Sequence, residues 1–163
     1  MLKRMLMHDS TVKPITRNFS LLVSVPEIHL LSGQDVCEQE GKVAFGSQDF
    51  EVFRKLDQDR NDRVVKVFIY ATLQDNRSFI PKVTWQALYI GHLDSRRGRH
   101  PQGMKYRPAT AATDAPNFAI FWEVTDLKPL DVPLNISNFK AVGKKEVFQS
   151  RFIPEKPLII QYF

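Results

Sequence analysis

Apolar positions in this chain cluster in short runs separated by polar breaks, a pattern of many short strands rather than long helices. The run NFSLLVSV at 18–25 reads as a first strand, stopped by Pro26. Residues 36–41 are polar and end in a turn, and KVAFG at 42–46 is a short apolar run. Ser47 can then cap a helix reaching to about Leu56, because Phe50, Phe53 and Leu56 recur at three-residue spacing with Val52 beside them. A charged turn follows at 57–62. The run VVKVFIYAT at 64–72 is apolar on both faces, as a central strand should be. Further strands are predicted at 83–90 (VTWQALYI) and 119–124. The latter is entered from Phe118, with Phe118, Ile120, Trp122 and Val124 on one side. A short run at 131–139 is broken by Pro133, and LIIQYF at 158–163 closes the chain as a final strand.

Five or more short strands with one clear helix predict an α+β fold, either a barrel or a curved antiparallel sheet. No regular alternation of strand and helix is present, so a doubly wound sheet is not expected. Residues 1–17 are polar, basic and non-periodic and read as a loosely ordered leader; residues 18–163 read as a single domain.

The composition narrows the class. In 163 residues, 43% are hydrophobic and 25% charged, which excludes a largely disordered chain. No window reaches the roughly 18 consecutive apolar residues of a membrane helix, and no stretch has signal-peptide character, so no membrane partner and a cytoplasmic location are expected. Cys37 is the only cysteine, which excludes intrachain disulfides and cysteine-based zinc sites. The four histidines, His8, His29, His92 and His100, form no metal-ligand spacing, and no glycine-rich phosphate loop or nucleophile elbow is present. Neither a metal nor a cofactor is expected. The oligomeric state stays open.

Charge then points to a region. The net charge of +5 permits a polyanionic partner, and the longest weakly patterned stretch, 91–117, concentrates the basic residues. It holds Arg96, Arg97, Arg99, His100, Lys105 and Arg107, opposed only by Asp94 and Asp114. Arginine forks suit phosphate, and Tyr106 among them offers a face for stacking. The other reading of this loop is a solvated surface. A second signal is aromatic: Trp85 and Tyr89 share a strand face, while Phe121 and Trp122 point to opposite faces. One aromatic set can therefore line a pocket able to stack a planar base, unless all are core.

The order of these elements is similar to that of the PUA-like domains, which include the EVE, ASCH and YTH families. It runs from the strand at 18–25 through the apolar run at 42–46, the helix at 47–56 and the charged turn to VFIYAT at 67–72. A second strand at 85–90 and a long loop containing Arg107-Pro108 come next. FWEVTDLKPL at 121–130 follows, with Val132-Pro133-Leu134 behind it. The resemblance covers roughly 18–163 and is one of pattern. It implies a pseudo-barrel of mixed or antiparallel strands with a few peripheral helices, no catalytic residues, and a nucleic-acid partner, RNA or DNA. It also implies an aromatic pocket for a modified or flipped-out base, built here from Phe45, Ser47, Tyr70, Trp85, Tyr106 and Arg107. Arg96, Arg97, Arg99 and Lys105 would then hold phosphates. Two alternatives stand beside it. Phe68-Ile69-Tyr70 and Tyr89-Ile90-Gly91, followed by the arginines, resemble GIY-YIG endonucleases, which would use Tyr70, Tyr89, Arg97, His100 and Glu123 around a metal. The other alternative is a small-molecule or protein-interaction barrel.

Overall fold

The computed structural model describes residues 13–73 and 81–163. Its elements in chain order are β1 (Ser20–Pro26), α1 (Glu27–Glu40), β2 (Val43–Ser47), α2 (Phe50–Asp59), β3 (Val65–Thr72), β4 (Lys82–Asp94), β5 (Ile120–Asn135) and β6 (Leu158–Ile160), with short 3-10 turns at Ala109–Ala111 and Ile136–Asn138. The strands form one six-stranded mixed sheet in the order β2-β5-β4-β3-β1-β6. Only β1 and β3 run parallel, because the chain between them crosses over through α1, β2 and α2; every other neighbour pair is antiparallel.

The expected α+β class is present, but the sheet is not closed into a barrel. Its edge strands, β2 and β6, are covered instead by irregular chain. Along β2, the Ala44 N–H donates to the Tyr106 carbonyl (2.7 Å) and the Ala119 N–H to the Ser47 carbonyl (3.0 Å). Beside β6, the Gln161 N–H donates to the Lys140 carbonyl (2.8 Å).

Period-two alternation divides the sheet's side chains between two apolar clusters. Leu21, Val23 and Val25 of β1, Val65, Val67 and Ile69 of β3, and Trp122 and Val124 of β5 pack with Leu30 and Cys37 of α1 and Phe53 and Leu56 of α2. Leu22, Phe68 and Val83 form the second cluster with Ile136, Phe139 and Ile160 of the C-terminal segment. Val83 and Trp85 are two residues apart yet belong to different clusters, and the pairing of β4 shifts between them. The extra residue of a bulge inverts the facing.

Three local expectations are corrected. Helix α1 was not foreseen: its apolar residues lie all round, with Leu30, Gly33 and Cys37 buried while Ile28 and Leu31 are exposed. Gly41 ends it in the left-handed conformation (φ 86°), a stop signal that was legible. The second helix begins at Phe50, not Ser47, because Ser47 completes β2 and its Oγ accepts the Asp49 N–H (3.0 Å). Three-residue spacing drifts around a helix, so Phe53 and Leu56 are buried while Phe50 turns outward beneath Arg54. The leader also ends earlier than expected. Ile15 bridges to Val64, Thr16 is buried, and the Val64 N–H donates to the Pro14 carbonyl (3.0 Å); residues 1–12 lie outside the described residues.

Phe53 is fully buried, with its ring stacked on Trp122 at 5.7 Å. Phe53→Ala is expected to lower unfolding free energy by about 3–5 kcal/mol. Val132→Ala, at a position 70% exposed, should stay within about 0.5 kcal/mol of the parent. Urea denaturation of the two variants checks the contrast.

Candidate functional site

β1 and β2 are separated in the sheet by three strands, yet both line one cavity of about 500 Å³. The sheet curls enough to bring Val23 and Val25 opposite Phe45 and Ser47. His29 in the first turn of α1, Arg107 and residues 114–118 of the long connection, and residues 155–157 complete the wall.

Arg107 is the buried charge of this wall, 7% exposed. Its Nη1 donates to the Ala44 carbonyl (2.9 Å), and Nη2 lies 3.5 Å from Asp114 Oδ2. The guanidinium also stacks over Phe121 (5.0 Å) and Phe118 (5.5 Å). Burial pulls its pKa below the ordinary value and Asp114 opposes the shift; an arginine stays charged under such conditions. His29 sits across Asp114, with Nε2 4.0 Å from Oδ2 and Nδ1 2.7 Å from Thr110 Oγ1. Burial lowers its pKa, against Asp114 and with Arg107, so the ring is neutral near pH 7.

The arginine-rich stretch is ordered. Arg96 and Arg99 exchange backbone hydrogen bonds (2.7 and 3.1 Å) across a two-residue turn with positive φ at Arg97 (54°) and Gly98 (80°), the geometry of a tight hairpin. Gly98 is required twice over, because a side chain there would overlap the Pro116 carbonyl. The Phe118 N–H donates to the Gly98 carbonyl (3.3 Å), which fastens the turn to the cavity wall. Arg96, Arg97 and Arg99 are all exposed on this turn.

Beneath the turn lies a buried polar group. His100 Nδ1 accepts the Gln102 N–H (3.0 Å), which places the ring proton on Nε2, 3.6 Å from Glu123 Oε2. Glu123 Oε1 pairs with Lys42 Nζ at 3.1 Å. Burial lowers the His100 pKa; Glu123 opposes this, and Arg107 and Lys42 add to it. A second group lies on the helix side: Asp57 accepts Tyr89 Oη (2.9 Å) and Arg60 Nε (2.7 Å), and its Oδ2 is 2.6 Å from His92 Nδ1. Burial alone would raise the Asp57 pKa, but the bonds from His92, Arg60 and Tyr89 outweigh it and hold the carboxyl below its ordinary range. Burial and the Asp57 charge push the Tyr89 phenol upward.

Of the residues expected to form the base site, Phe45, Ser47 and Arg107 line the cavity. Trp85 does not: it is 3% exposed and packed in the helix-side core, so it offers no free face. Tyr70 is buried in β3 and is not a lining residue. Tyr106 runs along the β2 edge, its ring already covered by Lys42 (4.6 Å) and Lys105 (5.3 Å). Lys105 also lies 3.9 Å from Glu40, and so is partly engaged. Of the nuclease candidates, His100 and Glu123 come together, whereas the Tyr89 hydroxyl is committed to Asp57 and Arg97 stands on the exposed turn. Among the described residues no group of three or more His, Cys, Asp or Glu is placed to hold a metal, and no helix is long and apolar enough to cross a membrane.

The sequence reading missed His29, Asp49, Asp114 and Asn117 as lining residues. They lie in three separate segments with no shared motif. Phe118 and Trp122 also line the cavity, and their aromatic clustering was the legible sign. No protein-family model matches the chain, and neither a curated protein nor a solved structure matches it.

The unfolded chain protonates its histidines below their ordinary value of 6.5, before His100 or His29 can in the folded state. Their contribution to stability is complete above that pH and declines as pH falls below it. Urea midpoints from pH 7.5 down to 5 should therefore decrease, and His100→Gln should make that decrease shallower. Gly98→Ala should destabilise the chain and increase hydrogen exchange at the Phe118 amide, since both the turn and its fastening are disturbed.

Proposed function

We propose that this chain is a non-enzymatic nucleic-acid-binding module of the PUA-like kind that works in the cytoplasm. It seats one unpaired base in the cavity between β1 and β2 and holds adjoining phosphates on the arginine turn. The supporting observation is the fastening of that turn to the cavity wall through Gly98, Pro116 and Phe118. It joins the turn that carries three exposed arginines to the wall of a half-open space with aromatic and polar lining. The volume, about 500 Å³, lies within the range of pockets that enclose a nucleotide-sized ligand. A base out of its stack brings its planar face and hydrogen-bonding edge to such a wall, while the backbone stays on the rim.

Labelled single-stranded oligonucleotides should shift in a salt-dependent manner with their strands intact in magnesium. Replacing Arg96, Arg97 and Arg99 together by alanine should reduce the slope of log affinity against log salt by about 2–3, because each phosphate contact releases roughly one counterion. Phe118→Ala should weaken binding while retaining that slope, with stacking worth about 1–3 kcal/mol per base. Cleavage that requires magnesium would overturn the reading in favour of a nuclease. No shift at low salt would do so in favour of a small-molecule or protein ligand.

A further inference from the structure

Resting on the cavity as a base site, we infer that it selects a base that carries an exocyclic amino donor, and most strongly one made cationic by methylation of a ring nitrogen. The lining holds three carboxylates, Asp49, Asp114 and Glu155, against two cations, Arg107 and Lys156. Arg107 is already engaged: its guanidinium meets the Ala44 carbonyl, Asp114 and the faces of two phenyl rings. Its charge therefore orders the wall rather than attracting an anion into the cavity.

The acceptors are differently placed. Asp49 stands at the N-cap of α2, where an aspartate ordinarily bonds the first free N–H groups, yet its carboxylate makes no such bond. It is half-buried and lines the cavity. Asp114 directs Oδ2 toward Arg107 and His29, and among the described residues no hydrogen bond reaches its Oδ1. Two carboxylates with free lone pairs, in a half-open space with a net negative lining, favour hydrogen-bond donors and positive charge. A carbonyl-rich edge such as that of uracil meets acceptor against acceptor there, and a buried polar mismatch of this kind discriminates strongly.

Free nucleosides test this without a phosphate backbone. Cytidine, 3-methylcytidine (cationic at neutral pH) and uridine are titrated into the intact chain and followed by tryptophan fluorescence, since Trp122 lines the cavity. The expected order is 3-methylcytidine, then cytidine, then uridine, with at least about tenfold between the first and last. Asp49→Asn, at a carboxylate that caps nothing, should narrow that gap while the thermal midpoint stays near the parent value. Uridine binding as tightly as 3-methylcytidine, a gap unchanged in Asp49→Asn, or no binding of any nucleoside overturns the inference. The broader reading fails separately. If the nucleosides are discriminated but no oligonucleotide shifts at low salt, nucleic-acid binding is lost and base selectivity stands. If oligonucleotides bind and bases are not discriminated, the selectivity alone is lost.

Discussion

The burial of Arg107 organises this end of the molecule. A guanidinium out of water is costly unless its donors and its charge are answered. Here they are met by a β2 carbonyl, by Asp114 and by two phenyl faces. Those contacts pin residues 106–107 along the β2 edge, bring 114–118 across the strand ends, and fix where the chain re-enters the sheet at β5. The cavity wall and the arginine turn both follow from that route. Removing the charge would leave Asp114 facing an apolar gap, and removing Asp114 would leave a cation half answered.

The fold was legible in the sequence wherever apolar runs were dense. Strands β1, β3 and the start of β5 carry near-continuous apolar residues, and they are buried on both faces as such runs predict. Helix α1 was hidden because Gly33 replaces an apolar anchor; Phe45 and Pro108 press against the space a side chain there would take. Its exposed Ile28 and Leu31 spread apolar residues over the whole surface and erased the stripe. The stretch 131–139 looked like a separate run because of Pro133, whereas residues 131–135 continue β5 and Ile136–Asn138 form a 3-10 turn.

The site was half legible, for a physical reason. Composition showed that arginines cluster at 96–107, but not that Arg107 turns inward while Arg96, Arg97 and Arg99 stay in solvent. The aromatics were correctly suspected as a set, yet Trp85 belongs to the core because β4 lies in the middle of the sheet. Asp49, Asp114 and Asn117 carry no signature of their own. Only the curl of the sheet and the path of the long connection bring them together.

The pairing of β1 with β6, Ser20 opposite Ile160, joins segments nearly a whole chain apart. During synthesis, β1 can meet α1, α2 and β3 early, and the helix-side cluster can assemble through β5. The opposite face of Leu22 and Phe68 must wait for Ile136, Phe139 and Ile160. A nascent chain halted before residue 158 thus exposes apolar strand surface and an unpaired β1 edge, the kind of intermediate that chaperones engage. This face is therefore completed by the most distant pairings in the described chain, and a high proportion of such contacts makes that step slow.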